Sequence, residues 1–585
     1  MQTRENERRE FLRRLRREPL FLWRHAGALS TAVYRKVVNR IRRALAGVHR
    51  GRKTWPEWLT QRALPEGGGA TRGGAWPQWP QPAPPAPCAQ PGSGVGEAAV
   101  GRDPQDPEDH LADNRWGFLL EALLAGVADR DAGIERCRAW IAAHTDRTNP
   151  AWEAYSSCER VANLLVFLAA MPPAHGGAAA PADLAAFVEQ SLKWVYRHLE
   201  YYGPAETNNH ILNNARALAM GGAATANRAA VDAAVRILRQ CLPEMVAGGG
   251  FLRERSSHYQ LVALNWLLDA WAFIAAYRGA DDVDARFLRG YAERMVAAAA
   301  LLCDGNGRLI ALVGDVSPDA TPAQSLARLR LLYPKLWPPA ARVRANCEIR
   351  DDWFRLTGSR GLVLGNLPVG RYPGGFPTHG HCDPTSFVWQ HDGQEILVDP
   401  GRYRYTADAV SQFQQSASAH NLPLVNGFAP VCESVLSRGN WCPVPYARAQ
   451  LKFAPCDDGI VLEHDGFARN TPVTTHRRYI TLADAGLSVT DRFEGSGSIW
   501  LELSWQFAEQ FAALDPQRLR LASPGCTLSL NVQGVAGPAS VQPACGVDPG
   551  GWISRAYGRR TPAPAVRLCW RVVLPAVVTT RFEIL

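Results

Sequence analysis

At about residue 350 the hydrophobic period of this 585-residue chain changes, and that change decides what it can fold into. From about 109 to 345 apolar residues recur near every 3.6 positions, as in RWGFLLEALLAGVADRDAG, DLAAFVEQSLKWVYRHLEYY, VDAAVRILRQCLPEMV and QLVALNWLLDAWAFIAAY. That spacing makes one apolar helix face after another. Short loops and no strand signal between them imply a layer of stacked helical hairpins. Beyond 350 the period is two, in short runs such as SFVWQ, EILVDP, GIVLEH, RRYITL, IWLELSWQF and VRLCWRVVLP, each bounded by turn residues. Such runs build an antiparallel sandwich. The expectation is a helical domain over 109–345 and a β-sandwich over 350–585, with a cleft between them.

Upstream of the helices, residues 64–108 are dense in Pro and Gly (WPQWPQPAPPAPCAQPGSG) and read as a linker, because they cannot bury enough apolar surface to fold alone. Residues 1–63 form a basic segment with helical pattern, crowded with arginine from Arg4 to Lys53. It suits docking on a membrane surface, on a partner or on the body of the protein. The basic excess behind the net charge of +9 sits there, which leaves the remainder near neutral and argues against a nucleic-acid partner. With 46% hydrophobic and 20% charged residues the bulk is globular. Thirteen cysteines without a C-x-x-C pair exclude a disulfide framework or a cysteine-rich zinc module, and read as small buried hydrophobes. No run approaches eighteen uncharged apolar residues, so no membrane-spanning helix is expected. The N-terminus lacks the uninterrupted apolar stretch of a secretory signal.

Three stretches carry candidate chemistry. In THGHCDP, His379 and His381 stand two apart; on an extended strand both point to one face. The Asp392-Gly393 turn reverses the chain, Asp399 closes the returning strand, and SASAHNLPLVNG supplies His420. Two histidines and a carboxylate are a familiar zinc set. A hairpin with polar ends satisfied by backbone presents the same residues, and spacing alone favours that plainer reading. In GPAETNNHILNNARAL, Asn208, Asn209 and His210 precede a helical run. One Asn is a natural N-cap; the second, with the imidazole, makes a good place for a carboxylate. In FLRERSSHYQLVALNWLL, Ser256 or Ser257 caps a helix and Tyr259 falls in its first turn, where packing is the commoner role of a tyrosine.

Together these stretches resemble one family. AWEAYSSCERVANLLVFL, LEYYGPAETNNHILNNARAL, FLRERSSHYQLVAL, THGHCDPTSFVWQHDGQEILVDPGRYRYT, SASAHNLPLVNG and LEHDGFARNTPVTTHRRY occur in the order seen in heparinase II/III-like proteins. The resemblance spans roughly 110 to 480, and the sandwich continues to the end. It implies an α/α toroid followed by an antiparallel β-sandwich. It also implies a polysaccharide lyase that cleaves a uronic-acid-containing acidic polysaccharide (glycosaminoglycan-like, alginate-like or bacterial exopolysaccharide) by β-elimination. The resemblance gives His381, Asp399 and His420 to a zinc ion that mainly shapes the strands lining the cleft. It gives Asn209, His210, Tyr259 and His379 to the catalytic set. The family often has His after the tyrosine, where this chain has Gln260. Family lyases are often found in the bacterial periplasm or cell envelope; the cytoplasm is also consistent with a chain in which no signal is readable.

The chemistry implied is specific. The C5 proton of a uronate is weakly acidic, so an enzyme must stabilise charge on the adjacent carboxylate, supply a base and protonate O4. Asn209, with His210 or His379, suits the first of these needs through preorganised donors. Tyr259 suits proton transfer, with the histidines as alternative bases. Two other readings stand beside the lyase. One is a non-catalytic polysaccharide-binding protein of exopolysaccharide assembly. The other is a glycoside hydrolase on a toroid, which needs paired carboxylates; none is evident near the Asn209 or Tyr259 segments.

Overall fold

The computed structural model describes Trp76 and residues 106–173, 180–201, 208–304, 308–309, 311–337, 346–367, 370–371, 379–406, 408–431, 449–515, 519–536 and 540–585. The basic segment 1–63 and nearly all of the Pro/Gly-rich 64–108 lie outside the described residues. The rest divides into two compact units. One takes in Trp55–Leu309 and Ser317–Ala341, the other Ile310–Val316 and Arg342–Leu585.

The first unit is helical. Its helices are α1 (Pro107–Asp113), α2 (Phe118–Leu124), α3 (Arg130–Ala143), α4 (Ala154–Ala170), α5 (Ala182–Arg197), α6 (Asn209–Ala224), α7 (Arg228–Met245), α8 (Ser257–Arg278), α9 (Val283–Leu301) and α10 (Pro322–Leu332). They sort by burial. Helices α4, α6 and α8 are buried on nearly every side, whereas α5, α7 and α9 bury one stripe and expose the other. A helix that is apolar all round belongs inside and an amphipathic one outside; α6 accordingly packs against α4, α5, α7 and α8. Helix α8 has the length and apolar composition of a membrane span, but its apolar window is 83% buried within the protein. Sequence-coded caps fix the starts. Asn208, Asn227 and Ser256 each accept a first-turn N–H, and Thr321 with Gln324 forms a capping box.

Buried helices that carry charge must pair it. Asp269, fully buried on α8, accepts from Arg216 Nε on α6 (2.8 Å), from Arg328 Nη2 on α10 (2.6 and 2.8 Å) and from Tyr333 Oη (2.7 Å). Arg216 also donates to Glu159 on α4 at 2.9 Å. One carboxylate thereby ties three helices together.

The second unit is antiparallel throughout its named ladders. Strands β1 (Cys347–Arg350), β2 (Trp353–Thr357), β3 (Gly361–Asn366), β4 (Phe387–His391) and β5 (Gln394–Leu397) pair in that order. A larger sheet contains β6 (Pro423–Val425), β7 (Gln450–Cys456), β8 (Gly459–His464), β9 (Val473–Ala483), β10 (Gly486–Gln506), β11 (Cys526–Gln533) and β12 (Ala565–Ile584). The long partners β10 and β12 run together for most of their length, with a break in register between Phe493 and Gly497. Burial alternates along β12, so one face meets the core and the other water. Trp389 and Phe387 from the small sheet share one apolar core with Ile480, Val489, Leu503, Trp505 and Phe582 from the large one. The Asp392-Gly393 hairpin forms as its sequence requires, with φ of 47° and 74° at its two central residues. Of the ten described cysteines, most are buried.

Candidate functional site

Within the helical unit, the first turns of three inner helices gather the residues singled out by sequence. Asn208 caps α6 by accepting from the His210 N–H at 3.1 Å, which places Asn209 and His210 in its first turn. Ser256 caps α8 by accepting from the Tyr259 N–H at 3.1 Å. Glu254, just before that cap, accepts from the Asn209 backbone N–H (2.6 Å) and from its Nδ2 (2.7 Å), fixing the amide of α6 from the start of α8. Tyr155, in the first turn of α4, lies with its ring centroid 4.9 Å from that of His210. Tyr259 is close enough to add to the upward push on the Tyr155 hydroxyl, which burial and Asp319 mainly cause.

His210 differs from an ordinary surface histidine. Its Nδ1 lies 2.8 Å from Glu200 Oε1. Burial alone would lower its pKa, but the Glu200 charge and hydrogen bond, with Glu153 and Glu254 behind, outweigh it and raise the group to about 9. The side chain is 36% exposed, so water moderates that pull. Glu200 thus favours the protonated ring.

Gln260 stands where the resembled family often has histidine, and its amide is fully committed. It accepts from the Leu252 N–H (2.7 Å) and donates to the carbonyls of Gly250 (3.0 Å) and Met295 (3.3 Å). Here this position holds the approach to α8 against α9.

A cavity of about 80 Å³ opens farther along the same helices, lined among others by Arg115, Glu159, Arg216, Trp266, Asp319 and Arg328. Its charges are matched, three guanidiniums against Glu121, Glu159 and Asp319. Asp319 accepts from Arg115 Nη1 (2.6 Å) and Tyr155 Oη (2.8 Å). Burial pushes Glu159 up against the pull of Arg216, and Asp319 adds to the rise.

Within the sheet unit a second constellation forms. His379 and His381 are not on a strand: β4 begins only at Phe387, after a turn in which the Ser386 N–H donates to the Asp383 carbonyl. The same-face argument for a strand therefore does not apply, and a different residue brings the two imidazoles to one place. Asp315, contributed by the short Ile310–Val316 segment, lies with Oδ2 3.0 Å from His379 Nδ1 and Oδ1 2.9 Å from His381 Nε2. Asp399 follows β5 and is steadied by the Gly401 N–H (2.8 Å). Gly401 has φ of 64°, and a Cβ there would stand 2.2 Å from the Ser554 carbonyl oxygen, so Asp-Pro-Gly is the local solution. His420 ends a 3-10 turn and gives Nδ1 to the Ser416 carbonyl at 2.8 Å. Its neighbour Asn421 donates to the Phe387 (2.9 Å) and Val398 (3.1 Å) carbonyls and accepts from the Gln506 N–H (2.7 Å), which pins the loop to three strands.

His381, Asp399 and His420 thus form a group able to hold a metal ion. His381 Nδ1 is 3.2 Å from His420 Nε2, which is 3.3 Å from Asp399 Oδ2; His381 Nδ1 is 3.8 Å from Asp399 Oδ1. Zinc–nitrogen and zinc–oxygen bonds near 2.0 Å in a tetrahedron put ligand atoms roughly 3.3 Å apart. The residues fit such an ion. Each ligand histidine also has its other ring nitrogen on a carboxylate or carbonyl oxygen, the usual outer support of a metal-bound imidazole. His420 is held above its ordinary pKa by Asp399 against burial, and Asp399 is held down by the two histidines against burial.

With this geometry in place, comparison with known proteins assigns the sheet unit. The model of the family described as heparinase II/III-like, C-terminal, matches residues 366–577. Among solved structures the chain is similar to heparinase III, with a TM-score of 0.60 and 13% identity over 84% of this chain and 79% of that one. It is also similar to a mutant of the heparan sulfate lyase HepC from Pedobacter heparinus, with a TM-score of 0.53 and 16% identity over 82% of this chain and 76% of that one. No curated protein matches the chain. At these identities the likeness establishes the fold, an α/α toroid followed by an antiparallel β-sandwich. The metal-capable triad and His379 all lie inside the heparinase II/III-like match; Asn209, His210, Tyr259 and Asp315 lie outside it.

Sequence reasoning missed Tyr155, Glu200, Glu254, Asp315 and Asp319. The one signal for Asp315 was a carboxylate closing the apolar run LIALVGD. The others are single residues in ordinary helical texture, and only the fold gives them partners.

Proposed function

We propose that this protein is a polysaccharide lyase that cleaves a uronic-acid-containing acidic polysaccharide by β-elimination. The observation that carries the reading is the gathering of Asn209, His210 and Tyr259 at the first turns of α6 and α8, with Tyr155 against His210. Elimination needs a cationic or donating group for the uronate carboxylate; the Glu200 carboxylate favours protonated His210, and Glu254 orients the Asn209 amide. Proton transfer is given to Tyr259, which protonates O4 and, where stereochemistry puts both atoms on one side, also takes the C5 proton; otherwise His379 is the alternative base. In the sheet unit His379 is assigned to substrate, and His381, Asp399 and His420 to zinc. A zinc ion there supplies charge that rigidifies the loops carrying its ligands. The activities named for the similar structures, heparinase and heparan sulfate lyase, put glycosaminoglycan-like uronans first among the substrates to try.

The test is a panel of heparan, chondroitin, hyaluronan, alginate, glucuronan and bacterial exopolysaccharide, followed by absorbance of unsaturated chain ends. Asn209→Ala should lower the rate on the active polymer by roughly 10²–10³, the usual cost of one preorganised donor. An unchanged rate contradicts the assignment.

One observation favours a hydrolase instead: Glu159 is pushed toward the protonated form beside Asp319, as a general acid beside a second carboxylate would be. Both are clamped by arginine, which makes elimination the stronger reading. Saturated reducing ends, lost in Glu159→Gln, would reverse that order.

A further inference from the structure

Asp315 is a fully buried carboxylate whose two oxygens are divided between histidines of different assignment. Oδ1 takes His381 Nε2 at 2.9 Å, and Oδ2 takes His379 Nδ1 at 3.0 Å and Arg402 Nη1 at 2.9 Å. Its own backbone N–H donates to the His379 carbonyl at 2.9 Å, closing a second link to the same residue. An ionised carboxylate only accepts, so each imidazole must present an N–H to it. His379 therefore carries a proton on Nδ1. His381 carries its proton on Nε2 and leaves Nδ1 free to accept, at the atom that lies 3.2 Å from His420 Nε2 and 3.8 Å from Asp399 Oδ1.

We propose that Asp315 is a positioning residue that sets the tautomers of both histidines, preparing His381 Nδ1 as a metal ligand and holding the His379 ring by its Nδ1. Arg402 acts differently: it adds a third contact at Oδ2, which His379 already occupies, and its guanidinium lies 4.6 Å from the Tyr405 ring centroid. An amide at position 315 could not replace the carboxylate. It offers one acceptor and one donor group where two acceptors are required, so one imidazole has to flip or lose its partner.

The experiment uses the full chain, stripped of metal and titrated with zinc against a chromophoric chelator. Asp315→Asn is expected to weaken zinc binding about 10–100-fold, the usual loss when a ligand's outer partner is removed. Arg402→Gln, which leaves both imidazole contacts in place, is expected to stay within about threefold of wild type. Histidine-labelled protein then reports the tautomers by proton–nitrogen correlation, with His379→Gln used to assign that signal. Wild type should show His379 protonated on Nδ1, and Asp315→Asn should lose that pattern. Unchanged zinc affinity in Asp315→Asn overturns the proposal. So does an equal loss in Arg402→Gln, which would make Asp315 half of a structural ion pair. If Asp315→Asn does not fold, the wild-type tautomers still decide: His379 protonated on Nε2 alone excludes the arrangement. None of these readouts involves a polysaccharide, so failure of the lyase reading and failure of this proposal are separate results.

Discussion

The two units bury polar groups in different ways. In the helical unit the interior charge is arginine against carboxylate, with Asp269 held by Arg216, Arg328 and Tyr333. In the sheet unit buried imidazoles stand among the polar groups, and several are joined in chains. Besides the metal-capable triad there is a second chain. The Gly466 N–H donates to His464 Nδ1 (3.1 Å), His464 Nε2 faces His476 Nδ1 (2.9 Å), and His476 Nε2 faces Asp491 (2.8 Å). Arg478 links that chain to the metal loop, bonding Asp491 as well as the carbonyls of Thr385 and Asn421. Guanidiniums keep their charge across the working pH range, whereas imidazoles answer to protons and to metal ions. The sheet unit thus holds most of the buried imidazoles among the described residues, and with them most of the groups that answer to protons and metal ions.

That contrast can be broken at its strongest point first. Asp269→Ala takes the carboxylate from buried Arg328 and one of two from Arg216, and should destabilise the helical unit by about 3–5 kcal/mol, the usual cost of removing one partner of a buried pair. Hydrogen exchange should show the loss in α6, α8 and α10, with β10 and β12 unaffected. Metal comes next. Adding zinc at a hundredfold excess over its dissociation constant should stabilise the sheet unit by about 2.7 kcal/mol. Chelation should reverse this, and His420→Ala should abolish the response. If zinc protected the helical unit equally, the ion would not be where the triad places it.

Acid gives the smallest and most selective effect. Burial, with the neighbouring cations, pushes His464 well below the ordinary 6.5, and burial also lowers His476 despite Asp491. The unfolded chain then binds protons that the folded one refuses. Stability is intact above about pH 6.5 and is lost as pH falls toward the folded values, by about 1.4 kcal/mol for each unit of displacement. His420, raised by Asp399, has the opposite sign, so the informative quantity is the difference between wild type and His464→Gln. The variant should lose less stability between pH 7 and 5. His210 supplies the counterpart in the helical unit. Its contribution is present below the ordinary 6.5 and disappears as pH rises through about 9.

Much of this architecture was legible because it rests on periodicity. The change from 3.6 to 2 near residue 350 is visible in any window, and the caps at Asn208 and Ser256 follow from residue type. The triad His381, Asp399 and His420 was legible only through family resemblance, since spacing alone favoured a plain hairpin. The strand expected beneath His379 and His381 did not form. A non-local carboxylate, Asp315, directs the two rings instead, and no local pattern encodes a partner more than sixty residues away. Tyr155, Glu200 and Glu254 were hidden for the same reason: each acquires its role only when three helix starts are packed together.

The central claim, elimination with Tyr259 moving the proton, is tested most directly by product analysis of wild type and Tyr259→Phe on the polymer that wild type degrades. Ultraviolet-absorbing unsaturated ends from wild type, and none from a folded Tyr259→Phe, are the predicted result. Full activity in Tyr259→Phe, or saturated ends from wild type, would contradict it.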